Sequence, residues 1–76
     1  MSVLDRIKGR FLPRTEANKI FEKPALTVHD IRLIFGCSRA YVYVLAEHFE
    51  WAEISHSPRI WVPADIRGTF EETLGS

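Results

Sequence analysis

Covalent staples are nearly absent from this sequence. Cys37 is its one cysteine, so an internal disulfide is excluded. It stands at an apolar position in a turn, which fits a buried, reduced thiol acting as a small hydrophobe better than a reactive one. Metal-binding patterns are equally scarce. His29, His48 and His56 form no recognised zinc spacing with a lone cysteine, and neither an H-E-x-x-H pattern nor a Gly-rich phosphate loop occurs. No carboxylate pair is singled out for acid–base chemistry. An enzyme, a metal site and a cofactor are therefore not expected. No apolar run approaches the ~18 residues of a membrane span. The first residues lack a signal peptide's apolar stretch, so a cytoplasmic location without a membrane partner is expected. Net charge is absent too, with 10 Lys and Arg against 10 Asp and Glu. Stand-alone DNA-binding domains are commonly basic, because phosphate neutralisation supplies much of their affinity. The overall balance therefore argues against an easy nucleic-acid assignment.

What is present is enough apolar material for one small core. The chain has 76 residues, 46% hydrophobic and 12% aromatic, which is the composition of a folded globule rather than a disordered tail. The charge is unevenly spread. Residues 1–25 carry Arg6, Lys8, Arg10, Arg14, Lys19 and Lys23 against Asp5, Glu16 and Glu22, a net +3 that leaves −3 for residues 26–76. This divides the chain into a basic N-terminal arm, 1–25, and a domain, 26–76.

The most informative stretch is 27–49. Thr27 is a good N-cap, and Val28, Ile31, Ile34 and Phe35 follow at helical spacing. Gly36 stands where that helix must stop, because glycine enters the left-handed conformation without a Cβ clash. Ser38 is a second N-cap, and Val42, Leu45, Ala46 and Phe49 make a second apolar stripe. Two short helices joined by a Gly-containing turn describe a helix-turn-helix, which holds its second helix out where a DNA major groove can receive it. The outer face of that helix, 38–48, is centred on Ala40, Val44 and Glu47, with Tyr41, Tyr43 and His48 beside it and Arg39 at its first turn. Arg39 could bond guanine or phosphate, Tyr41 a phosphate or a thymine methyl, and Ser38 with the helix amides a phosphate oxygen. Glu47 would repel phosphates. Tyr41, Tyr43 and Val44, with Trp61, could instead form an apolar patch covered by the arm or by another protein.

The flanking segments complete the pattern. In the arm, Val3, Leu4, Ile7 and Phe11 share a helical face that Gly9 weakens and Pro13 ends, and Thr15 is placed to cap a second turn carrying Ile20 and Phe21. Its arginines Arg6, Arg10 and Arg14 either stay in water or lie along phosphates. Residues 51–62 read as a hairpin: Trp51–Ile54 and Arg59–Val62 are β-prone, and Ser55–Pro58 supply turn residues. Alternation puts Ile60 and Val62 on one face, taken as the inner one, and Arg59 and Trp61 on the other. His56, Ser57 and Arg59 are the candidates at its tip. Pro63 closes the second strand. Over 64–74, Ile66, Phe70 and Leu74 form a docking stripe, with Asp65 near the helix start. The expected fold is mainly α with a small β-hairpin: a winged helix-turn-helix with a basic helical N-terminal arm.

Residues 26–70 also resemble a known family. The order Leu-Thr-Val, Ile-Phe-Gly-Cys-Ser-Arg-Ala-Tyr-Val-Tyr-Val-Leu, a hairpin ending Arg-Ile-Trp-Val-Pro, then Ala-Asp-Ile and Phe is similar to the winged helix-turn-helix domains of the excisionase and MerR-like superfamily. Ser38 and Arg39 match that motif's helix start, and Tyr43 matches its tyrosine. Tyr41 stands where threonine is usual, and Val44 where a DNA-contacting arginine is usual. The resemblance implies sequence-specific binding of double-stranded DNA, with the second helix in the major groove and the hairpin at a neighbouring groove. It implies a role in recombination directionality or small-scale transcriptional regulation of the phage or mobile-element kind, with an integrase or other protein and further copies of the chain as partners. The competing expectation is a protein-binding module on the same scaffold, using the Tyr41, Tyr43, Val44 and Trp61 surface.

Overall fold

The computed structural model describes residues 4–75, so Val3 of the arm lies outside the described residues. The elements run as a 3-10 helix (Asp5–Arg10), α1 (Arg14–Phe21), β1 (Leu26–Thr27), α2 (Val28–Phe35), α3 (Arg39–Phe49), β2 (Glu53–His56), β3 (Arg59–Trp61) and α4 (Pro63–Gly75). The molecule is mainly helical, with a three-stranded antiparallel sheet in the order β1-β3-β2. Leu26 pairs with Trp61 and Thr27 with Ile60, and across the hairpin Ser55 pairs with Ile60 and His56 with Arg59.

Local chemistry accounts for α2, α3 and the turn between them. The Thr27 hydroxyl accepts from the Asp30 amide while Asp30 accepts from the Thr27 amide, a reciprocal cap for two otherwise orphaned donors. Gly36 ends α2 at φ 63°, its amide donating to the Arg32 carbonyl. Ser38 then caps α3 by accepting from the Tyr41 amide at 3.2 Å. Cys37 between them is half-buried, and burial pushes its thiol pKa above the ordinary value, which keeps it protonated at neutral pH.

The core is aromatic and includes the N-terminal segment. Phe35 of α2 lies 5.0 Å from Phe11 edge-on and 6.0 Å from Trp51 in a stack, and Phe70 of α4 is 5.4 Å from Phe11 and 5.5 Å from Phe21. Leu4, Ala17 and Phe21 join the same buried cluster as Ile31, Ile34, Val42, Leu45, Ile66 and Phe70. The Leu12 amide donates to the Ile34 carbonyl at 3.0 Å, tying the segment before α1 to the end of α2. Arg10 backs directly onto Gly36: a Cβ there would lie 2.6 Å from the Arg10 carbonyl oxygen. Trp51 is buried and donates its indole N–H to the Thr69 hydroxyl of α4 at 2.9 Å.

Four sequence expectations are corrected. Thr15 does not cap α1. Pro13 is the N-cap and α1 begins at Arg14, two residues before a Thr15 cap would start it. The Pro13 carbonyl accepts from the amides of Glu16 and Ala17, and proline's fixed φ suits the entry to a helix. The hairpin spans 53–61 rather than 51–62: Ser55 and His56 are strand residues, Ser57 and Pro58 alone make the turn, and Trp51 is drawn into the core. Trp61 faces inward, fully buried, while Ile60 and Val62 are half-buried. The indole is the largest apolar side chain of β3, and turning it inward seats it against Trp51 and Tyr43 while Ile60 and Val62 stay partly covered. Pro63 opens α4 rather than merely closing β3, as suits a residue with no amide to orphan, and the Asp65 carboxylate accepts from the Ala52 amide at 2.9 Å.

Candidate nucleic-acid interface

An open groove of about 480 Å³ lies between the hairpin turn and the N-terminal parts of α2 and α3. Arg39 and Tyr43 enter it from α3. Thr27, Val28 and His29 enter it from the start of α2, Arg32 from the last turn of α2, and His56, Ser57, Pro58 and Arg59 from the hairpin. Among the described residues its lining contains three arginines and two histidines and no carboxylate. The N-terminus of α2 borders it, with the Thr27 and Asp30 amides already engaged in the Thr27–Asp30 cap. Such a lining attracts anions, and the groove's open form suits an extended polyanion better than an enclosed small molecule.

The arginines are not equivalent. Arg39 is exposed at the first turn of α3. Arg32 is exposed as well, and its Nε donates to the Cys37 carbonyl at 3.4 Å, which holds it along the turn toward α3. Arg59 is largely enclosed. Its Nε donates to Glu53 at 2.6 Å, its Nη2 lies 3.7 Å from Glu47, and its guanidinium sits 4.9 Å from the Tyr43 ring centre. The Arg59 hydrogen bond holds the Glu53 carboxyl below its ordinary pKa, so the carboxylate stays ionised at neutral pH. On the other side of Arg59 lies a second hollow edged by Glu47, Glu50 and Glu53, of opposite charge character. His56 and Arg59 border both hollows, and the His56 Nδ1 lies 3.4 Å from Glu53, so the hairpin side of the groove sits beside carboxylates while Arg32 and Arg39 form its helix side.

Of the residues expected from sequence, the groove brings together Arg39, Tyr43, His56, Ser57 and Arg59. It does not include Ser38, which is the α3 cap, nor Tyr41, which is half-buried against the core. His48 is exposed with its ring 4.8 Å from Phe49, and it too lies outside the groove lining. In the arm Arg6 and Arg10 are exposed, while Arg14 is paired with Glu71 of α4 at 3.1 Å. The expected apolar patch is not formed as a unit: Trp61 is fully buried, Tyr41 and Tyr43 are half-buried, and of the four only Val44 is widely open, at 53%.

His29 and Arg32 were not singled out by sequence. Their signal was there: they sit three apart on the side of α2 opposite Ile31, Ile34 and Phe35. A helix-turn-helix pattern points to its second helix, and these two residues belong to the first. Asp30, between them in sequence, points the other way. It is buried and accepts from Lys23 at 2.9 Å as well as from Thr27. Burial alone would raise its pKa, but the bonds from Lys23 and Thr27 outweigh that and hold it below the ordinary carboxylate value. Among the described residues, no helix is long and apolar enough to cross a membrane, and no group of three His, Cys, Asp or Glu side chains could hold a metal ion. Comparison with family models, with curated proteins and with solved structures finds no match to this chain.

Proposed function

We propose that this protein is a small double-stranded-DNA-binding protein of winged helix-turn-helix type, excisionase-like in its order of elements. The observation that carries the proposal is the groove between α2, α3 and the hairpin, whose lining includes Arg32, Arg39, His29 and His56 and no carboxylate residue. In this reading α3 enters the major groove by its first turn, where Arg39 meets a base edge or phosphate. The hairpin acts as the wing, with the Ser57–Pro58 turn at an adjacent groove. The pairing of β1 with β3 supports that assignment, since it fixes the hairpin beside the helix pair. Arg32 takes a phosphate between the two contacts.

The overall charge of zero limits what one copy can do. With few phosphates neutralised, a single domain binds weakly, and repeated sites or a partner protein raise the affinity by avidity. The test is fluorescence-anisotropy binding of wild type, Arg32→Ala and Arg39→Ala to a pool of labelled duplexes at low salt. Arg39→Ala should lose about 1–3 kcal/mol of specific binding with folding intact. Arg32→Ala should weaken binding to all sequences about equally. Wild-type affinity in both variants would remove the groove from the site.

A further inference from the structure

Arg59 has the position of a wing arginine but not the surroundings of a DNA contact. Its side chain is 23% exposed. Glu53 of β2 holds Nε at 2.6 Å, and Glu47 of α3 stands 3.7 Å from Nη2. The guanidinium lies 4.9 Å from the Tyr43 ring centre and 5.3 Å from that of Trp61. Three elements, α3, β2 and β3, thus meet on one side chain. A phosphate approaching it would have to displace one carboxylate and pass a second. Meanwhile the planar group is matched to its present partners, by a charge-assisted bond at one edge and aromatic rings beside it.

We infer that Arg59 is a positioning residue which pins the β2–β3 hairpin to α3 and so fixes the distance between the Ser57–Pro58 turn and Arg39 across the groove. The inference rests on the DNA-binding reading for its consequence, and on the contacts around Arg59 for its mechanism. A short hairpin is marginal by itself. This one is anchored at its base by the Leu26–Trp61 pairing and by the Val62 amide on the Ala52 carbonyl at 2.9 Å. The Tyr43–Trp61 ring contact also joins it to α3, and nearer its tip the Arg59 cluster does so. Holding both walls of a groove in place before DNA arrives removes an ordering cost from binding.

The sign of one substitution separates pinning from direct contact. Removing a negative charge beside a nucleic-acid site ordinarily strengthens binding. If Glu53 instead serves to hold Arg59, Glu53→Gln weakens it. The experiment compares wild type, Glu53→Gln and Arg59→Lys by two readouts: salt-dependent anisotropy with a labelled mixed-sequence duplex, and backbone hydrogen exchange without DNA. Pinning predicts that Glu53→Gln lowers affinity about tenfold, as expected for loss of one charge-assisted bond, with the salt slope unchanged. It also predicts that Arg59→Lys behaves like Glu53→Gln, since lysine keeps the charge but not the planar fork. Without DNA, hairpin amides should exchange about tenfold faster in both variants while α2 and α4 amides keep their protection. Tighter binding by Glu53→Gln, or wild-type affinity in Arg59→Lys, would overturn the proposal and make Arg59 a phosphate contact. Should wild type fail to bind any duplex, the DNA reading falls. Hairpin exchange then decides the pinning alone, and unchanged exchange rejects it.

Discussion

Replacing Gly36 with alanine should be among the most damaging single-methyl additions this protein can receive. Two costs coincide at that position. The residue sits at φ 63°, in the left-handed region, where an L side chain costs about 1–2 kcal/mol. The new methyl would also lie 2.6 Å from the Arg10 carbonyl oxygen and 2.7 Å from the Arg10 Cβ, closer than real Cβ contacts come. Relief requires the 3-10 helix to back away, yet Leu4 at its start and Phe11 at its end are seated in the core. Overpacking of this kind costs about 1–3 kcal/mol. Alanine's smaller unfolded-state entropy returns about 0.4–1 kcal/mol. The net is a loss of about 2–4 kcal/mol, against a total stability of about 4–11 kcal/mol for a chain of this length. At ~4–8 °C per kcal/mol, the melting temperature should fall by roughly 8–32 °C. The assay is thermal and urea unfolding followed by circular dichroism, with Gly68→Ala as the control. Gly68 is in α4, and a methyl added there would meet nothing within 4 Å, so alanine should stabilise by about 0.5–1 kcal/mol. A Gly36→Ala protein within about 1 kcal/mol of wild type would refute the close seating of the N-terminal segment on the turn.

Glu50 ends α3 at φ 53° without being glycine, and its carboxylate lies at the unfavourable end of the helix dipole. Glu50→Gly should raise stability by about 1 kcal/mol in urea unfolding; a decrease would mean the side chain has a stabilising role not evident from the cap. Asp30→Asn should cost about 1–2 kcal/mol by weakening the Thr27 cap and the Lys23 bond, the latter already screened because Lys23 is half exposed. Because the folded carboxyl titrates below its unfolded value of about 3.8, its contribution is fully present above that pH and is lost as pH falls through the lower folded pKa. The gap between wild type and Asp30→Asn should therefore be constant from neutral pH to about pH 5 and close on further acidification. A gap that widens in acid would contradict the assignment.

The parts of the fold that the sequence made legible are those decided within a few residues. Thr27, Gly36 and Ser38 act on neighbouring amides and carbonyls, so α2, its stop and α3 could be placed from local chemistry. The parts that were not legible depend on distant partners. Leu26 and Thr27 form a strand only because Trp61 and Ile60 lie across from them. Strand alternation separates Arg59 and Trp61 from Ile60 and Val62, but both sets contain apolar residues, so periodicity could not choose the inner face. At Pro13 two local signals competed: a proline ends one helix and also begins the next, and the second use won. The groove was half legible. Arg39, Tyr43 and the hairpin residues were identified from their elements, whereas His29 and Arg32 became visible once α2 was seen to share a wall with α3.

The central claim is that the groove between α2, α3 and the hairpin holds a nucleic-acid backbone. Its most direct test is the salt dependence of wild-type binding to duplex DNA, in protein shown to be folded. Each phosphate neutralised contributes a slope of about −0.9 in log affinity against log salt. With Arg32 and Arg39 exposed and Arg59 engaged by Glu53, a slope of about −2 is predicted, reduced by about one unit in Arg39→Ala if that residue meets a phosphate. Absence of binding at low salt, or binding indifferent to salt, would contradict the account.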